Sequence, residues 1–197
     1  LKNRKQDRRS QRTRRLLHRA ITSLMKEKRY DSITVQDIID RADVGRSTFY
    51  AHYQDKEDLV DSNLKEILDD LSQHLDDNAP DNQRLIPTLA LFKHVQEQQH
   101  LFEAMRGGRG LDLLVEKGQA YWSKKIETEL QSLFPQGQTS AVPLSIVASY
   151  ISGALFTFLK WWMDNNLPYP PERMDEMFQQ VVMPGVWAAL GKDEPAR

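Results

Sequence analysis

The chain has 197 residues, of which 40% are hydrophobic and 28% charged, so its composition excludes wholesale disorder and supplies ample material for a packed core. The absence of cysteine excludes disulfides, thiolate metal sites and a cysteine nucleophile. The net charge of -1 is unevenly distributed. Residues 1–53 carry 14 of the 27 Lys and Arg but only 6 of the 28 Asp and Glu, a net charge of +8, and the remaining residues have a net charge of -9. A basic N-terminal part favours a polyanionic partner or a solvated basic tail.

The first predicted helix combines an apolar stripe with a cationic outer face. Its apolar residues recur at helical spacing, namely Leu16, Leu17, Ala20, Ile21, Leu24 and Met25. Ahead of the stripe lies a basic arm that consists of Lys2, Arg4, Lys5, Arg8, Arg9, Arg12, Arg14 and Arg15. This arm is too polar for a secretory signal, and no stretch approaches the about 18 consecutive apolar residues of a membrane helix. We therefore expect a cytoplasmic protein without a membrane partner. Its basic arm is expected to track phosphates or enter a minor groove, the alternative being a disordered tail.

Two short helices joined by a tight turn are predicted next. Thr34 is expected to cap the second helix, with Asp37 at the capping-box position three residues later. Asp43-Val44-Gly45 then interrupts the pattern before a third helix resumes over Arg46 to Tyr53. Two short helices around such a turn, supported by a longer helix, are the outline of a helix-turn-helix.

The rest of the chain is predicted to be helical as well. Asp55 is expected to cap a long fourth helix, and further helices follow at roughly 83–98, 99–106, 111–133, 143–166 and 171–190. Pro184-Gly185 is expected to break or kink the last of them. No alternating β-branched run ends in a hairpin turn. The predicted fold class is therefore all-α, with about nine helices.

The segment from Thr34 to Leu59 resembles the DNA-binding signature of the tetracycline-repressor (TetR) family. It contains, in order, the capped short helix, the turn, the run Thr48-Phe49-Tyr50-Ala51-His52-Tyr53 and the opening Asp55-Lys56-Glu57-Asp58-Leu59 of the fourth helix. The family usually has Gly early in the turn, where this chain has Asp43. It usually has Ser or Thr before the recognition helix, where this chain has Gly45. The geometry of the turn tolerates both replacements. The resemblance implies a helix-turn-helix DNA-binding domain at 1–57 and a helical ligand-binding and dimerisation domain at 58–197.

The residue types in this motif suit the recognition of double-stranded DNA. A helix that enters the major groove presents its N-terminal residues to base edges, and Arg46 in that first turn could pair with O6 and N7 of a guanine. The resemblance implies that Tyr50 and His52 contact mainly phosphates, the alternatives being a packed aromatic and an idle surface residue. The predicted DNA-binding residues are Thr34, Gln36, Arg46, Ser47, Thr48, Tyr50, His52 and Lys56.

The resemblance also implies a homodimer that binds a small-molecule effector of unknown identity, because in the family the last two helices pack against a second subunit and the preceding helices enclose a ligand. The predicted dimer contacts are Val147, Ile151, Leu155, Phe158, Phe178, Val181 and Trp187. The candidate ligand-binding residues are Tyr121, Trp122, Tyr150, Phe156, Trp161 and Trp162, each with core packing as its alternative.

Catalytic, cofactor and metal sites are not expected. The sequence offers no nucleophile and base in combination and no cofactor fingerprint. His94 and His100 are not at the i,i+4 spacing of helical metal ligands. Gly107-Gly108-Arg109-Gly110 lacks the strand and the Lys-Ser/Thr pair of a phosphate-binding loop, and is interpreted as a turn. Two hypotheses remain: a repressor whose operator binding responds to an effector, and a constitutive or protein-recruiting DNA-binding protein without one.

Overall fold

A computed structural model describes residues 2–77, 86–132 and 140–191, with the backbone alone for residues 2–7, 70–71 and 73–77. In these ranges the regular structure is entirely helical, which confirms the all-α prediction. A 3-10 turn occupies Tyr30–Ser32. The α-helices are α1 (Lys2–Met25), α2 (Val35–Ala42), α3 (Arg46–Tyr50), α4 (Lys56–Asp77), α5 (Thr88–Glu97), α6 (Gln99–Met105), α7 (Arg109–Ser132), α8 (Leu144–Asp164) and α9 (Pro171–Leu190).

The structure corrects three of the predictions about individual helices. Helix α3 ends at Tyr50 rather than at Tyr53. Helix α5 begins at Thr88 rather than near residue 83, because Pro87 disfavours helical backbone at Ile86; residues 83–85 lie outside the described part. The expected break at Pro184 does not occur, since α9 continues past it to Leu190. The predicted cap of α4 is confirmed: Asp55 Oδ1 accepts a hydrogen bond from the Asp58 amide at 2.8 Å.

The chain divides into two compact units. Unit 1 comprises Leu1–Ile67 together with His100–Leu114, and unit 2 comprises Leu68–Gln99 together with Val115–Arg197. Helices α4 and α7 each contribute residues to both units. The boundary expected after residue 57 falls within the first turn of α4, which is continuous across it.

Unit 1 has its core between α1 and α2, which pack against each other. Three fully buried side chains from successive helices, Leu17, Ile38 and Phe49, fill that core. The first turn of α7 packs against the same unit: a Cβ at Gly110 would lie 2.8 Å from the ring of buried Tyr30. Close approach of backbone to an aromatic ring therefore explains why this turn needs a glycine.

Unit 2 is built around α9, against which α5 and α8 pack. Its largest fully buried side chains include Phe92, Trp162 and Phe178, and the rings of Phe92 and Trp162 meet edge to face at 5.5 Å. Among the described residues, α8 alone is long and apolar enough to cross a membrane by length and composition. Core helices of helical domains meet the same criterion, and the inner face of α8 is buried within unit 2.

Candidate DNA interface

The turn between α2 and α3 is fixed by local hydrogen bonds that the sequence encodes. Thr34 Oγ1 accepts from the Asp37 amide at 3.2 Å, and Asp37 Oδ2 accepts from the Thr34 amide at 2.7 Å, so the predicted capping box is confirmed. Helix α2 ends at Ala42 and is followed by the C-cap residue Asp43, whose φ of 52° and ψ of 52° are left-handed. Gly45 occupies the N-cap of α3 without a side-chain bond. This geometry reverses the chain and sets the direction in which α3 begins.

Helix α3 presents a polar outer face on an apolar inner anchor. Phe49 is completely buried, whereas Arg46 and Ser47 are exposed and Tyr50 keeps 49% of its surface. The Arg46 guanidinium lies 5.9 Å from the centroid of the Tyr50 ring, a cation–π arrangement. No acidic partner of Arg46 occurs in the described part of the chain, so its five N–H donors are available to a ligand.

The other predicted DNA-binding residues of this motif differ in their exposure and in the hydrogen bonds that they already form within the protein. Thr48 and His52 are half-buried and keep part of their surface at the same end of the motif. Exposed Gln36 donates from Nε2 to Asp40 Oδ1 at 2.8 Å. The Thr34 hydroxyl donates to Asp37 Oδ2 at 2.7 Å and also accepts from the Asp37 amide. A Thr34 contact to DNA would therefore have to use a hydroxyl that already stabilises the cap.

Lys56 has a structural environment that sequence reasoning did not anticipate. Its Nζ donates to the carbonyl oxygens of Tyr30 and Ile33 at 3.0 and 2.8 Å, and lies 4.3 Å from the centroid of the Tyr30 ring. Burial is the main cause that lowers the pKa of Lys56. Two of its three N–H groups thus anchor the start of α4, which leaves one for the phosphate predicted from the sequence.

The basic arm is an extension of α1 rather than an irregular tail, since the helix begins at Lys2. Arg8, Arg9 and Arg12 are exposed and form no ion pair with the described residues. The side chains of Lys2, Arg4 and Lys5 lie outside the described part. A row of unpaired guanidinium groups on a helix suits contact with a phosphate backbone.

The six candidate ligand-binding residues in unit 2 do not share one environment. Trp122 and Trp162 are buried, and Trp162 Nε1 donates to the carbonyl of Tyr169 at 2.9 Å. Tyr121 and Phe156 are half-buried, and the Phe156 ring packs onto Gly118. The other two predicted residues, Tyr150 and Trp161, are 52% and 48% exposed.

The predicted dimer contacts are also divided between two environments. Five of these side chains are buried within unit 2, namely Val147, Ile151, Leu155, Phe178 and Trp187. Phe158 is half-buried, with its ring 5.5 Å from that of Phe178. A side chain that is fully buried in its own subunit has no surface left to offer a second copy. Of the predicted set, Val181 alone is exposed, at 67%.

Sequence reasoning missed a buried polar group behind α3. His18 is 6% exposed on α1, and its ring bonds to Glu66 on α4 and to Tyr53 just after α3. Its position three residues before Ile21 and seven before Met25 places it on the apolar stripe of α1, and this placement is the signal that could have revealed it.

Comparisons with known proteins agree with this geometry. Residues 17–62 match the model of bacterial regulatory proteins of the tetR family, and residues 87–184 match a transcriptional regulator C-terminal region of the same group. The chain is 26% identical over 182 residues to an uncharacterised HTH-type transcriptional regulator, YxbF, of Bacillus subtilis strain 168, covering 89% of this chain but 46% of that protein. The chain thus spans about half the length of the curated relative it matches.

Solved structures show the same fold over nearly the whole chain. The TetR transcriptional regulator from Streptococcus agalactiae 2603V is 26% identical with a TM-score of 0.61, over 90% of this chain and 97% of that one. RolR in complex with resorcinol is 16% identical with a TM-score of 0.61, over 96% of this chain and 98% of that one. A capped helix-turn-helix with a polar outer face, matched by family models at both ends, identifies the chain as a member of the TetR family of transcriptional regulators.

Proposed function

We propose that the protein is a repressor that binds operator DNA as a homodimer and whose affinity for DNA is changed by a small-molecule effector in its C-terminal domain. The observation that carries the DNA contact is the outer face of α3, where Arg46 and Ser47 are exposed at the first turn and Arg46 lacks an acidic partner among the described residues. Such a turn can read base edges in the major groove. DNA binding of this kind takes place in the cytoplasm.

The base contacts are proposed for Arg46, Ser47 and Thr48, with Tyr50 and His52 at phosphates. Arg46 is the residue to which we assign a bidentate pair with guanine, because a guanidinium is the commonest partner of guanine O6 and N7. Exposed arginines of α1 add sequence-independent affinity. Thr34, Gln36 and Lys56 are proposed to flank the contact, with Thr34 and Lys56 also stabilising the motif from within.

The homodimer is proposed to form through an exposed apolar stripe on α9 and the outer side of α8. On α9 the exposed residues Val181, Pro184, Gly185 and Ala188 recur at i, i+3, i+4 and i+7, so they lie on one face. The outer side of α8 adds exposed Ile146 and Tyr150. Small residues on such a stripe let a second helix approach closely, and a Cβ added at Gly185 would meet nothing within 4 Å in the same subunit.

The effector is proposed to occupy the aromatic part of unit 2, near Tyr121, Trp122, Phe156 and Trp162. RolR, which shares the fold, was solved in complex with resorcinol, and this supports a small planar ligand for the architecture. An effector that changes the spacing of two recognition helices away from about 34 to 36 Å, one turn of DNA, would weaken operator binding. A coupling of about 1 to 3 kcal/mol corresponds to a change in affinity of about 5- to 150-fold.

The experiment is a selection of bound duplexes from randomised and genomic DNA fragments, followed by gel shifts with the recovered duplex. We expect a two-fold symmetric site whose binding weakens steeply with salt. Titration with resorcinol and related phenols then tests the effector, and reporter transcription from the recovered site tests repression. Recovery of no preferred sequence would contradict the DNA contact. Binding that no titrated compound changes would favour the alternative, a constitutive or protein-recruiting DNA-binding protein without an effector.

A further inference from the structure

A chain of four polar side chains in unit 1 runs behind the recognition helix, and the DNA contacts do not use it. His18 lies at its centre, with Nδ1 3.0 Å from Glu66 Oε2 and Nε2 2.9 Å from the hydroxyl of Tyr53. The same hydroxyl accepts a hydrogen bond from Arg14 Nε at 3.3 Å. Because Glu66 is on α4, His18 and Arg14 are on α1 and Tyr53 follows α3, the chain connects two helices with the segment that ends the recognition motif.

Neutral His18 satisfies this chain in one tautomer. The Glu66 carboxylate is an acceptor, so Nδ1 carries the hydrogen and donates it. Nε2 then accepts the hydrogen of the Tyr53 hydroxyl, whose oxygen accepts from Arg14. Burial lowers the pKa of His18; Glu66 opposes this effect and Arg14 adds to it. The imidazole is therefore neutral near pH 7, and both of its ring nitrogens and the Tyr53 hydroxyl have a hydrogen-bond partner.

Protonation of His18 reverses the hydrogen bond to Tyr53, because Nε2–H then donates to the hydroxyl oxygen. The added hydrogen on Nε2 faces the Tyr53 oxygen, so the hydroxyl hydrogen loses its acceptor at a residue that is 2% exposed. The charged groups that face the imidazolium are Arg14 on its own helix, Glu66 on α4 and, beyond Tyr53, His52. The like charge of Arg14 increases the cost, whereas Glu66 retains its hydrogen bond to Nδ1.

We propose that His18 and Glu66 are positioning residues that hold Tyr53, and with it the recognition helix, in the orientation that DNA requires, and that protonation of His18 in mildly acidic solution releases this hold. Tyr53 is fully held at pH values above 6.5, the ordinary pKa of histidine. It is released as the pH falls through the lower pKa that His18 has in the folded protein. This proposal rests on the proposed contact between α3 and DNA.

The first test uses the full chain without DNA. The nitrogen chemical shifts of the His18 ring, followed from about pH 8 to about pH 5, report the tautomer and its titration. We expect a hydrogen on Nδ1 and titration of His18 at a pH below 6.5. Once His18 is protonated, we expect amide exchange over residues 46–53 to become faster than it is over the same residues of Tyr53→Phe at the same pH. A hydrogen on Nε2, or exchange over residues 46–53 that is indifferent to His18 protonation, would overturn the proposal.

The second test measures binding of the selected duplex at about pH 7.5 and about pH 5.5 at constant salt. All variants keep the same residues at the proposed DNA contact, so the comparison between variants isolates His18. On acidification, we expect the affinity of the wild type for the duplex to fall by about fivefold to tenfold more than that of Tyr53→Phe. This difference corresponds to roughly one buried hydrogen bond. His18→Asn, which keeps an amide donor for Glu66 but does not titrate, should follow Tyr53→Phe.

Identical pH profiles for the wild type, Tyr53→Phe and His18→Asn would overturn the positioning role even if DNA binds tightly. If no duplex is recovered by selection, the proposed function fails, while amide exchange in the free protein still decides whether His18 holds the recognition helix. The two failures are thus distinguishable.

Discussion

Replacing Arg46 with Gln separates the folding role of the recognition helix from its DNA role. Arg46 is exposed, and within the protein its guanidinium lies over the Tyr50 ring at 5.9 Å. An exposed cation–π contact contributes about 0.5 to 1 kcal/mol. We therefore expect Arg46→Gln to lower the free energy of unfolding by less than about 1 kcal/mol, which leaves the fold intact.

The expected effect on DNA binding is larger. A bidentate pair with guanine contributes about 1 to 3 kcal/mol of discrimination, or about 5- to 150-fold in affinity for each half-site. Gel shifts with the selected duplex, and with the same duplex changed at one guanine, measure this contribution. In Arg46→Gln the two duplexes should bind more equally, because the lost contact read that base.

Arg41→Gln is the matched control on the neighbouring helix. Arg41 is also exposed, but its guanidinium donates to Glu27 Oε1 and Oε2 at 2.9 and 2.7 Å and to Ser23. Arg41→Gln should weaken the binding of all duplexes slightly and by the same factor, because it removes one positive charge that is not assigned to a base. Equal losses in Arg41→Gln and Arg46→Gln, or wild-type selectivity in Arg46→Gln, would refute the assignment of Arg46 to a base.

Three further substitutions test the fold and the dimer. Thr34→Val removes the cap of α2 and should cost about 1 kcal/mol, or about 2 to 4 °C in the thermal unfolding followed by circular dichroism, whereas Thr34→Ser should unfold as the wild type does. Gly110→Ala places a Cβ 2.8 Å from the buried Tyr30 ring and should cost about 1 to 3 kcal/mol in urea unfolding. Gly153→Ala, which meets the end of the Gln119 side chain at 3.2 Å, should cost nothing, and an equal loss in both would count against steric packing as the cause. Val181→Asp should convert a dimer into a folded monomer in sedimentation velocity, and an unchanged dimer would exclude the exposed stripe of α9 as the interface.

Local interactions were predictable from the sequence. Thr34 and Asp37 are three residues apart, and Asp43 adopts the left-handed conformation because of its own short polar side chain. Each feature depends on neighbouring residues only. The position of the helix-turn-helix therefore follows from the order of residues along a short segment of the chain.

Interactions between helices were not predictable in the same way. Lys56 bonds to carbonyls 26 and 23 residues away, and His18 to Glu66 at a separation of 48. Nothing in the periodicity of one helix specifies which backbone oxygen or carboxylate another helix brings to it. The phosphate role expected for Lys56 thus omitted its role in anchoring α4.

The dimer set shows a limit of apolar patterns. Helix α8 is apolar on both its inner and its outer side, with Val147 and Ile151 buried and Ile146 and Tyr150 exposed. Periodicity identifies an apolar stripe but cannot distinguish a face that packs within a subunit from one that is left for a partner. Most of the residues predicted for the dimer therefore lie on the inner face.

The measurement that tests the central claim most directly is methylation interference on the selected duplex. Guanine N7 lies in the major groove, where α3 is proposed to bind, so methylation there should block binding. The account predicts interference at guanines in two half-sites whose centres are about 10 base pairs apart. Interference confined to adenine N3 in the minor groove, or to a single half-site, would contradict a pair of recognition helices in successive major grooves.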